Sequence, residues 1–284
     1  MDRKLETFLT LCRTMNYRQT AERMHLTQPA ITKQIQALED EYGVKLFNYD
    51  GHKLSKSDKC QLLESYAISL EYNYKELMTK MREKQKSKLR VGATRTIGDY
   101  AVSDRIITYL KHPDNELSFT VDNTNSLLAM LDENKLDFAL VEGAFDKSKY
   151  AYKLYRNEPF FGICNKKRFA KKDRLEIKDL FDETLIVREK GSGTRNLFEE
   201  DLKNMGYSID SFSRVIELNS FKLIRQAVRE GIGISFAYAS VISQDKDLTN
   251  FKVKGIMENH EFNVVCLPNT SAMGLAEQFL KESE

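Results

Sequence analysis

The stretch LTQPAITKQIQALEDEYG, Leu26–Gly43, decides how the first part of the chain is read. Ile31, Ile35 and Leu38 recur four and three residues apart, which places them on one face of a helix. Thr27 suits the N-cap. Pro29 fits the first turn, where its missing N–H has no helical partner to lose. Gly43 suits the C-terminal stop. The opposite face carries Gln28, Thr32, Lys33 and Gln36. Glutamine side chains pair with adenine edges, and threonine touches a phosphate or a thymine methyl. An ordinary surface helix carries the same residue types, so spacing alone leaves both readings open. The acidic run Glu39–Glu41 lies at the C-terminal end, away from the residues that would meet bases.

The neighbours of this helix narrow the choice. Leu5, Phe8, Leu9 and Cys12 recur at helical spacing, and TAERM (residues 20–24) gives a second, short helix. VKLFNYDGHKLS, from Val44, is strand-like with a turn at Asp50-Gly51. Three helices followed by a hairpin outline a winged helix-turn-helix. The hairpin carries His52, Lys53 and Lys56, which suit phosphate contacts.

The whole chain has 284 residues, 41% of them hydrophobic and 30% charged, which is a globular composition with room for more than one core. The formal net charge of +2 carries no global basic signal. Cys12, Cys60, Cys164 and Cys266 are widely spaced, as are His25, His52, His112 and His260. Neither set has metal-ligand spacing, so no metal or cofactor is expected, and the cysteines read as reduced. The N-terminus lacks the apolar core of a secretion signal, and no stretch is long and apolar enough to span a bilayer. A cytoplasmic location is expected.

From about Asp58 to Lys86 a single long helix is predicted, with Ser55 and Asp58 spaced as a capping box. Cys60, Leu63, Ala67, Leu70, Tyr74, Leu77 and Met81 alternate three and four apart as a heptad seam. Such a helix either packs on its own domain or pairs with a second copy. The regularity of the seam favours a dimer through Leu63, Ala67, Leu70, Tyr74 and Leu77. The lysine-rich KMREKQKSK (residues 80–88) reads as a solvated linker.

After Leu89, strand-like and helix-like stretches alternate, which predicts βαβ units and a mostly parallel sheet, split into two subdomains by its length. Tyr155–Cys164 and Phe262–Pro268 are the candidate crossover strands. The expected divisions are 1–58, a linker helix at 59–87, a first subdomain at 88–161 with 264–284, and a second at 162–263.

FLTLCRTMNYRQTAERMHLTQPAITKQIQALEDEYGVKLF, from Phe8, resembles the DNA-binding domain of LysR-type transcriptional regulators. TAERM matches the family's AAxxL, TQPAITKQIQALE its SQPAxSxQIxxLE, and YGVKLF its LGxxLF. The linker helix and the α/β half follow in the family's order. The resemblance implies an α/β protein with an N-terminal winged helix-turn-helix, a long dimerising linker helix, and two α/β subdomains resembling a periplasmic binding protein. It also implies operator DNA as a partner, a homodimer or homotetramer, and contact with RNA polymerase if the protein activates. Two departures stand out. The family's Leu-Thr-x-x-Gly after the wing is Leu54-Ser55-Lys56-Ser57-Asp58 here, and Arg18 and Gln19 replace a small hydroxyl and a basic residue. The DNA-contacting set so implied is Arg18, Thr27, Gln28, Pro29, Thr32, Lys33, Gln36, His52, Lys53 and Lys56.

In open α/β sheets, ligands bind beyond the carboxyl ends of strands. Polar clusters stand at four such positions: Thr94, Arg95 and Thr96; Asn123, Thr124 and Asn125; Ser192, Gly193 and Thr194; Asn219 and Ser220. Each cluster alone also suits plain helix capping. Four that converge favour a pocket for a small anion, because helix N-termini offer free N–H groups and a favourable dipole. Arg195 suits either a ligand carboxylate or a surface ion pair. GSGTR, from Gly191, is not a phosphate loop, since no Lys-Ser/Thr follows. It resembles the effector segment of one LysR-type branch, as does Gly92–Gly98 with its GASTTIG-like pattern. Members of that branch respond to small anionic metabolites, including intermediates of sulfur and carbon assimilation. Gly231 and Gly233 suit a turn into a buried strand.

No GxSxG elbow, HExxH or evident Cys–His pair occurs, so no enzymatic activity is expected. A solute-binding transport component fits the α/β half, but it predicts a secretion signal and no DNA-binding domain, the reverse of this sequence.

Overall fold

The computed structural model describes residues 1–51, 53–81, 88–166, 174–243 and 245–281. They form two compact units, one built on Met1–Ser87 and the other on Lys88–Leu131, Lys135–Cys266 and the C-terminal helix.

The first unit begins with α1 (Arg3–Thr14), α2 (Tyr17–Met24) and α3 (Gln28–Tyr42). Asp2 caps α1 by accepting from the Lys4 N–H, and Asn16 caps α2 by accepting from the Gln19 N–H. Met15 and His25 end these helices in the left-handed region, so each turn takes very few residues. Phe8, Leu9, Leu11, Ile31, Ile35 and Leu38 are buried in one core. Truncating a side chain as enclosed as Ile31 costs about 2–5 kcal/mol. That is a large share of a domain's stability, so the helical periodicity by itself commits these helices to a single packing.

The hairpin of β1 (Phe47–Tyr49) and β2 (Leu54–Lys56) is antiparallel, with Asn48 opposite Ser55. It is anchored to α3 by Glu39. This buried carboxylate accepts from the Leu46 N–H at 2.8 Å, the Phe47 N–H at 3.3 Å and Lys45 Nζ at 2.6 Å. Part of the acidic run at the end of α3 therefore joins the helix to the wing.

The last element of this unit is α4 (Asp58–Met81). Its cap is Ser57, whose hydroxyl accepts from the Cys60 N–H at 3.1 Å and donates to the Lys45 carbonyl at 2.7 Å. The expected Ser55–Asp58 box is thus shifted, because Ser55 is paired within the hairpin. Cys60 is buried with its Sγ 3.8 Å from Cys12 Sγ, and Ala67, Ile68 and Tyr72 are buried with it. The lysine-rich stretch from Arg82 to Ser87 lies outside the described residues.

The second unit holds one continuous sheet. Its elements are β3 (Lys88–Thr94), a π-helical turn (Ile97–Ala101), α5 (Ser103–Leu110), β4 (Glu116–Asp122), α6 (Thr124–Asp132), β5 (Phe138–Glu142), β6 (Ala151–Asn165), β7 (Thr184–Val187), α7 (Gly193–Asn204), β8 (Arg214–Glu217), α8 (Phe221–Arg229), β9 (Ile234–Tyr238), α9 (Ala239–Ile242), β10 (Leu248–Phe251), β11 (Asn259–Cys266) and α10 (Ala272–Leu280). The strand order is β4-β3-β5-β11-β6-β9-β7-β8, with β10 beside β6.

The sheet is mixed, not mostly parallel. β4, β3 and β5 are parallel, as are β9, β7 and β8. Each triplet is a βαβ product, and β6, β10 and β11 join the two with antiparallel pairing. β6 pairs with β11 through its first part and with β9 through Phe160–Ile163, so one strand serves both triplets. β11 brings the chain back between β5 and β6. A chain that crosses between two subdomains and returns must reverse direction, which is why the joining strands are antiparallel.

At the turn into β9, Gly231 has φ +75°, and a Cβ on Gly233 would run into the Thr184 carbonyl oxygen. Both positions need glycine for backbone reasons.

Candidate functional site

Two surfaces gather the polar residues singled out in the sequence. The first is the outward face of α3. Gln28, Pro29, Thr32, Lys33, Gln36, Ala37 and Asp40 line an open depression of about 750 Å³ along it. Thr27 is extended at the N-cap but makes no side-chain cap bond. The Thr32 hydroxyl donates back to the Gln28 carbonyl at 3.1 Å. Its lone pairs still suit a donor, and the residue is exposed.

The flanking basic residues differ in what they have to offer. Lys53 is exposed, and its N–H closes the wing turn on Asp50 Oδ1 at 2.7 Å. Arg18 is exposed with a weak i,i+4 pair to Glu22 at 3.3 Å. Lys56 holds both oxygens of Glu64, at 2.8 and 2.7 Å, so its charge is largely spent within the unit. His52 lies outside the described residues.

The seam expected on α4 divides between two faces. Ala67 is buried and Leu63 is half-buried in the unit's own packing. Leu62, Tyr66, Leu70, Tyr74, Leu77 and Met81 form the exposed apolar stripe. Cys60 is drawn inward by α1, where it meets Cys12, and Ala67 lies two turns further along the same buried side. The exposed apolar stripe therefore runs through Leu62 and Tyr66, not Leu63 and Ala67, and includes Leu70, Tyr74 and Leu77.

The second surface is a cleft at the carboxyl ends of the parallel strands, lined by Thr94, Arg95, Asp122, Asn123, Thr124, Glu142, Arg188, Glu189, Ser192 and Gly193. β3, β4 and β5 present the first six of these, and the end of β7 with the start of α7 presents the rest. Thr96 and Thr194 lie immediately behind. Thr96 Oγ1 donates to Glu142 Oε1 at 3.1 Å, and Thr194 Oγ1 donates to the same oxygen at 3.4 Å. Ser192 is buried and makes no side-chain cap on α7, which leaves the first turn of that helix without an internal acceptor.

Charge in the cleft is mixed. Arg188 is buried, chelates Glu189 through two bonds of 2.8 and 2.9 Å, and stacks on the Phe221 ring at 4.4 Å. Burial raises the Glu189 carboxyl, but hydrogen bonds from Arg188 and its own backbone, with the charges of Arg188 and Arg95, outweigh it and hold it below the usual range. Glu142 is only 3% exposed, and its Oε2 has no partner among the described residues. Burial pushes its carboxyl up to about 7, against the opposing pull of the Thr96 bond and the Arg188 charge. Thr94 Oγ1 is likewise buried without a partner.

Three expected residues stand apart from this cleft. Arg195 is buried, and its guanidinium is spent on Glu199 at 2.6 Å, Glu217 at 2.6 Å and the Arg188 carbonyl at 3.0 Å. It braces the end of β7. Ser220 caps α8 by accepting from the Leu223 N–H, and Asn219 precedes it on the surface. Conversely, Asp122, Glu142, Arg188 and Glu189 escaped the sequence reading. A signal was present: FALVE and TLIVRE are apolar strands that end abruptly in charge.

Among the described residues no group of three His, Cys, Asp or Glu is placed to hold a metal, and no helix is long and apolar enough to cross a membrane.

Comparison with known proteins bears on both surfaces. Residues 3–61 match the family described as bacterial regulatory helix-turn-helix protein, lysR family, and residues 82–282 match the LysR substrate binding domain. The RuBisCO operon transcriptional regulator of Allochromatium vinosum is 25% identical over 270 residues, covering 93% of this chain and 88% of its own. The regulator CbbR of Rhodospirillum rubrum is 27% identical over 269 residues, covering 93% and 89%. Among solved structures, a full-length OxyR variant from Pseudomonas aeruginosa superposes with a TM-score of 0.60 at 19% identity, covering 98% of both chains. The regulatory domain of Synechocystis CcmR, in complex with 2-PG, superposes with a TM-score of 0.60 at 23% identity over 68% of this chain and 95% of its own.

Proposed function

The chain belongs to the LysR family of transcriptional regulators, and from that premise we propose that α3 reads operator DNA while the α/β cleft binds a small metabolite with an anionic group that controls transcription. In this reading the N-terminal residues of α3 enter the major groove. Gln28, Thr32, Lys33 and Gln36 meet base edges, with Thr27 and Pro29 at the entry of the helix. Arg18 and Lys53 hold phosphates, joined by His52. Lys56 contributes less, because Glu64 already neutralises it. Two copies pair through the exposed stripe of α4, as a dimer or within a tetramer. The protein works in the cytoplasm and, where it activates, touches RNA polymerase.

The observation that carries the effector half is the convergence of four separate strand ends on one cleft. There Arg95, Thr94, Asn123 and Thr124 face Ser192 and Gly193 at the uncapped start of α7. That is a ready site for a small anionic group. Occupancy would favour one arrangement of the two subdomains over another, and so change the geometry in which the oligomer holds DNA.

A mobility-shift titration with the DNA upstream of the protein's own gene tests the DNA half. Thr32→Ala with Lys33→Ala is expected to abolish the specific shift while the protein stays folded. Specific binding that survives the double change sinks the groove assignment. For the effector half, a stabilising metabolite that changes neither DNA bending nor transcription would sink the coupling.

A further inference from the structure

The polar groups of the cleft do not match a simple anion. Its lining holds two cations, Arg95 and Arg188, against three carboxylates, Asp122, Glu142 and Glu189. Arg188 and Glu189 chelate one another and cancel. Asp122 is occupied by the Asn123 backbone and side-chain N–H groups at 2.7 and 3.1 Å. Arg95, Glu142 and the charge of Asp122, which those neutral N–H groups do not cancel, are left over. Arg95 is exposed and has no ion pair among the described residues. Glu142 is buried with one oxygen unpartnered. An unpartnered buried carboxylate oxygen is costly, and structures retain one where a ligand or ion completes it. A ligand with anionic groups alone would satisfy Arg95 and the start of α7 but would bring no N–H to the unpartnered Oε2 of Glu142.

We propose that the cleft selects a small zwitterion, an amino acid or close relative, whose anionic group is held by Arg95 and the start of α7 and whose protonated amine is held by Glu142. This rests on the cleft being the effector site, and it names the class of molecule that site takes. Glu142 Oε2 accepts one N–H of the ammonium, and Thr94 Oγ1, also buried and unpartnered, accepts a second. Glu142 Oε1 is already held by Thr96 and Thr194, which fixes the carboxylate plane. The cleft as it stands has a volume of about 20 Å³, room for one water. A molecule of this class is larger than one water, so binding it requires the lining of the cleft to move apart.

The test is a thermal-shift and calorimetric comparison on the full chain, using probes matched in pairs that differ only in the amine: alanine against propionate, aspartate against succinate, glutamate against glutarate, with O-phosphoserine, inorganic phosphate and sulfate added. At least one amine-bearing probe is expected to raise the melting temperature and to bind ten-fold or more tightly than its amine-free twin. Glu142→Gln removes that preference while leaving an unliganded protein that melts cooperatively, and Glu142→Asp, which keeps the charge, retains part of it. If the amine-free twins bind as well as their partners, or if Glu142→Gln keeps the preference, the zwitterion proposal is overturned and the anion-effector reading stands. If no probe of either kind binds, both fall.

Discussion

The hydroxyls of Thr96 and Thr194 meet at 3.4 Å behind the α/β cleft, and both donate to the Oε1 atom of Glu142. Thr96 follows β3 and Thr194 opens α7, so this contact joins the two βαβ triplets over a single buried carboxylate. Glu142 is thus the point at which the charge of the cleft meets the packing of the two triplets.

The first expectation concerns pH. The Glu142 carboxyl is pushed up to about 7 in the folded protein, above the ordinary glutamate value of about 4.3 in the unfolded chain. The folded state thus keeps a proton that the unfolded chain releases. The stability this proton brings is fully present below the unfolded value and is lost as pH rises through about 7. Glu142→Gln removes the loss. The variant without ligand should melt higher than the parent at pH 8, by up to about 3 kcal/mol, and alongside it near pH 4. Equal stabilities at pH 8 would refute the buried-charge account.

A second expectation concerns the wing. Glu39→Ala leaves the buried N–H groups of Leu46 and Phe47 without their acceptor, at a cost of about 1–3 kcal/mol per unsatisfied group. Hydrogen bonds from Lys45, Leu46 and Phe47 outweigh burial and lower the Glu39 pKa, so its stabilising effect is present above the unfolded value and fades as pH falls through the folded one. Chemical denaturation of the variant at neutral pH should show the loss, accompanied by weaker operator binding. Full stability in Glu39→Ala would mean that the wing is held by other contacts.

The salt dependence of DNA binding separates phosphate contacts from base contacts. Lys53→Ala should lower affinity alike for operator and unrelated DNA and reduce the slope of log K against log salt by about 0.9. Gln28→Ala should leave that slope unchanged and lose about 1–3 kcal/mol of discrimination at one base position. Lys56→Ala should have less effect on the slope than Lys53→Ala, because Glu64 holds its ammonium. A larger effect at Lys56 would overturn that ordering.

Assembly should depend on the exposed stripe of α4. Leu70 and Leu77 are each about half exposed there, at 50% and 54%. Leu70→Lys with Leu77→Lys places charge in an apolar seam and should shift sedimentation toward the monomer, leaving helical content intact. Ala67→Lys should instead unfold the first unit, since Ala67 is buried in that unit's own core. An Ala67→Lys variant that stays folded as a monomer would return Ala67 to the interface.

Much of this molecule follows from local sequence. The period of Ile31, Ile35 and Leu38, the stop at Gly43 and the Asp50-Gly51 turn are short-range signals, and α1 to α3 and the hairpin form where those signals stand. The alternation of strands and helices after Leu89 likewise needs only local periodicity. Three things required the tertiary structure. The sheet is mixed because β6 and β11 serve both triplets, and strand direction depends on where a chain returns, which no local pattern encodes. The face of α4 turned to solvent depends on tertiary contacts such as that of Cys60 with Cys12 on α1, so a regular heptad spacing does not tell an outer seam from an inner one. Which charges face the cleft also depends on contacts distant in sequence, Thr96 and Thr194 on Glu142 and Glu217 on Arg195. Arg195 stood beside the cluster in the chain yet is consumed by Glu199 and Glu217, whereas Glu142, hidden at the end of an apolar strand, faces the cleft with a free oxygen. Sequence determined which segments fold locally. Long-range pairing and burial decided which of their polar atoms remain to meet a ligand.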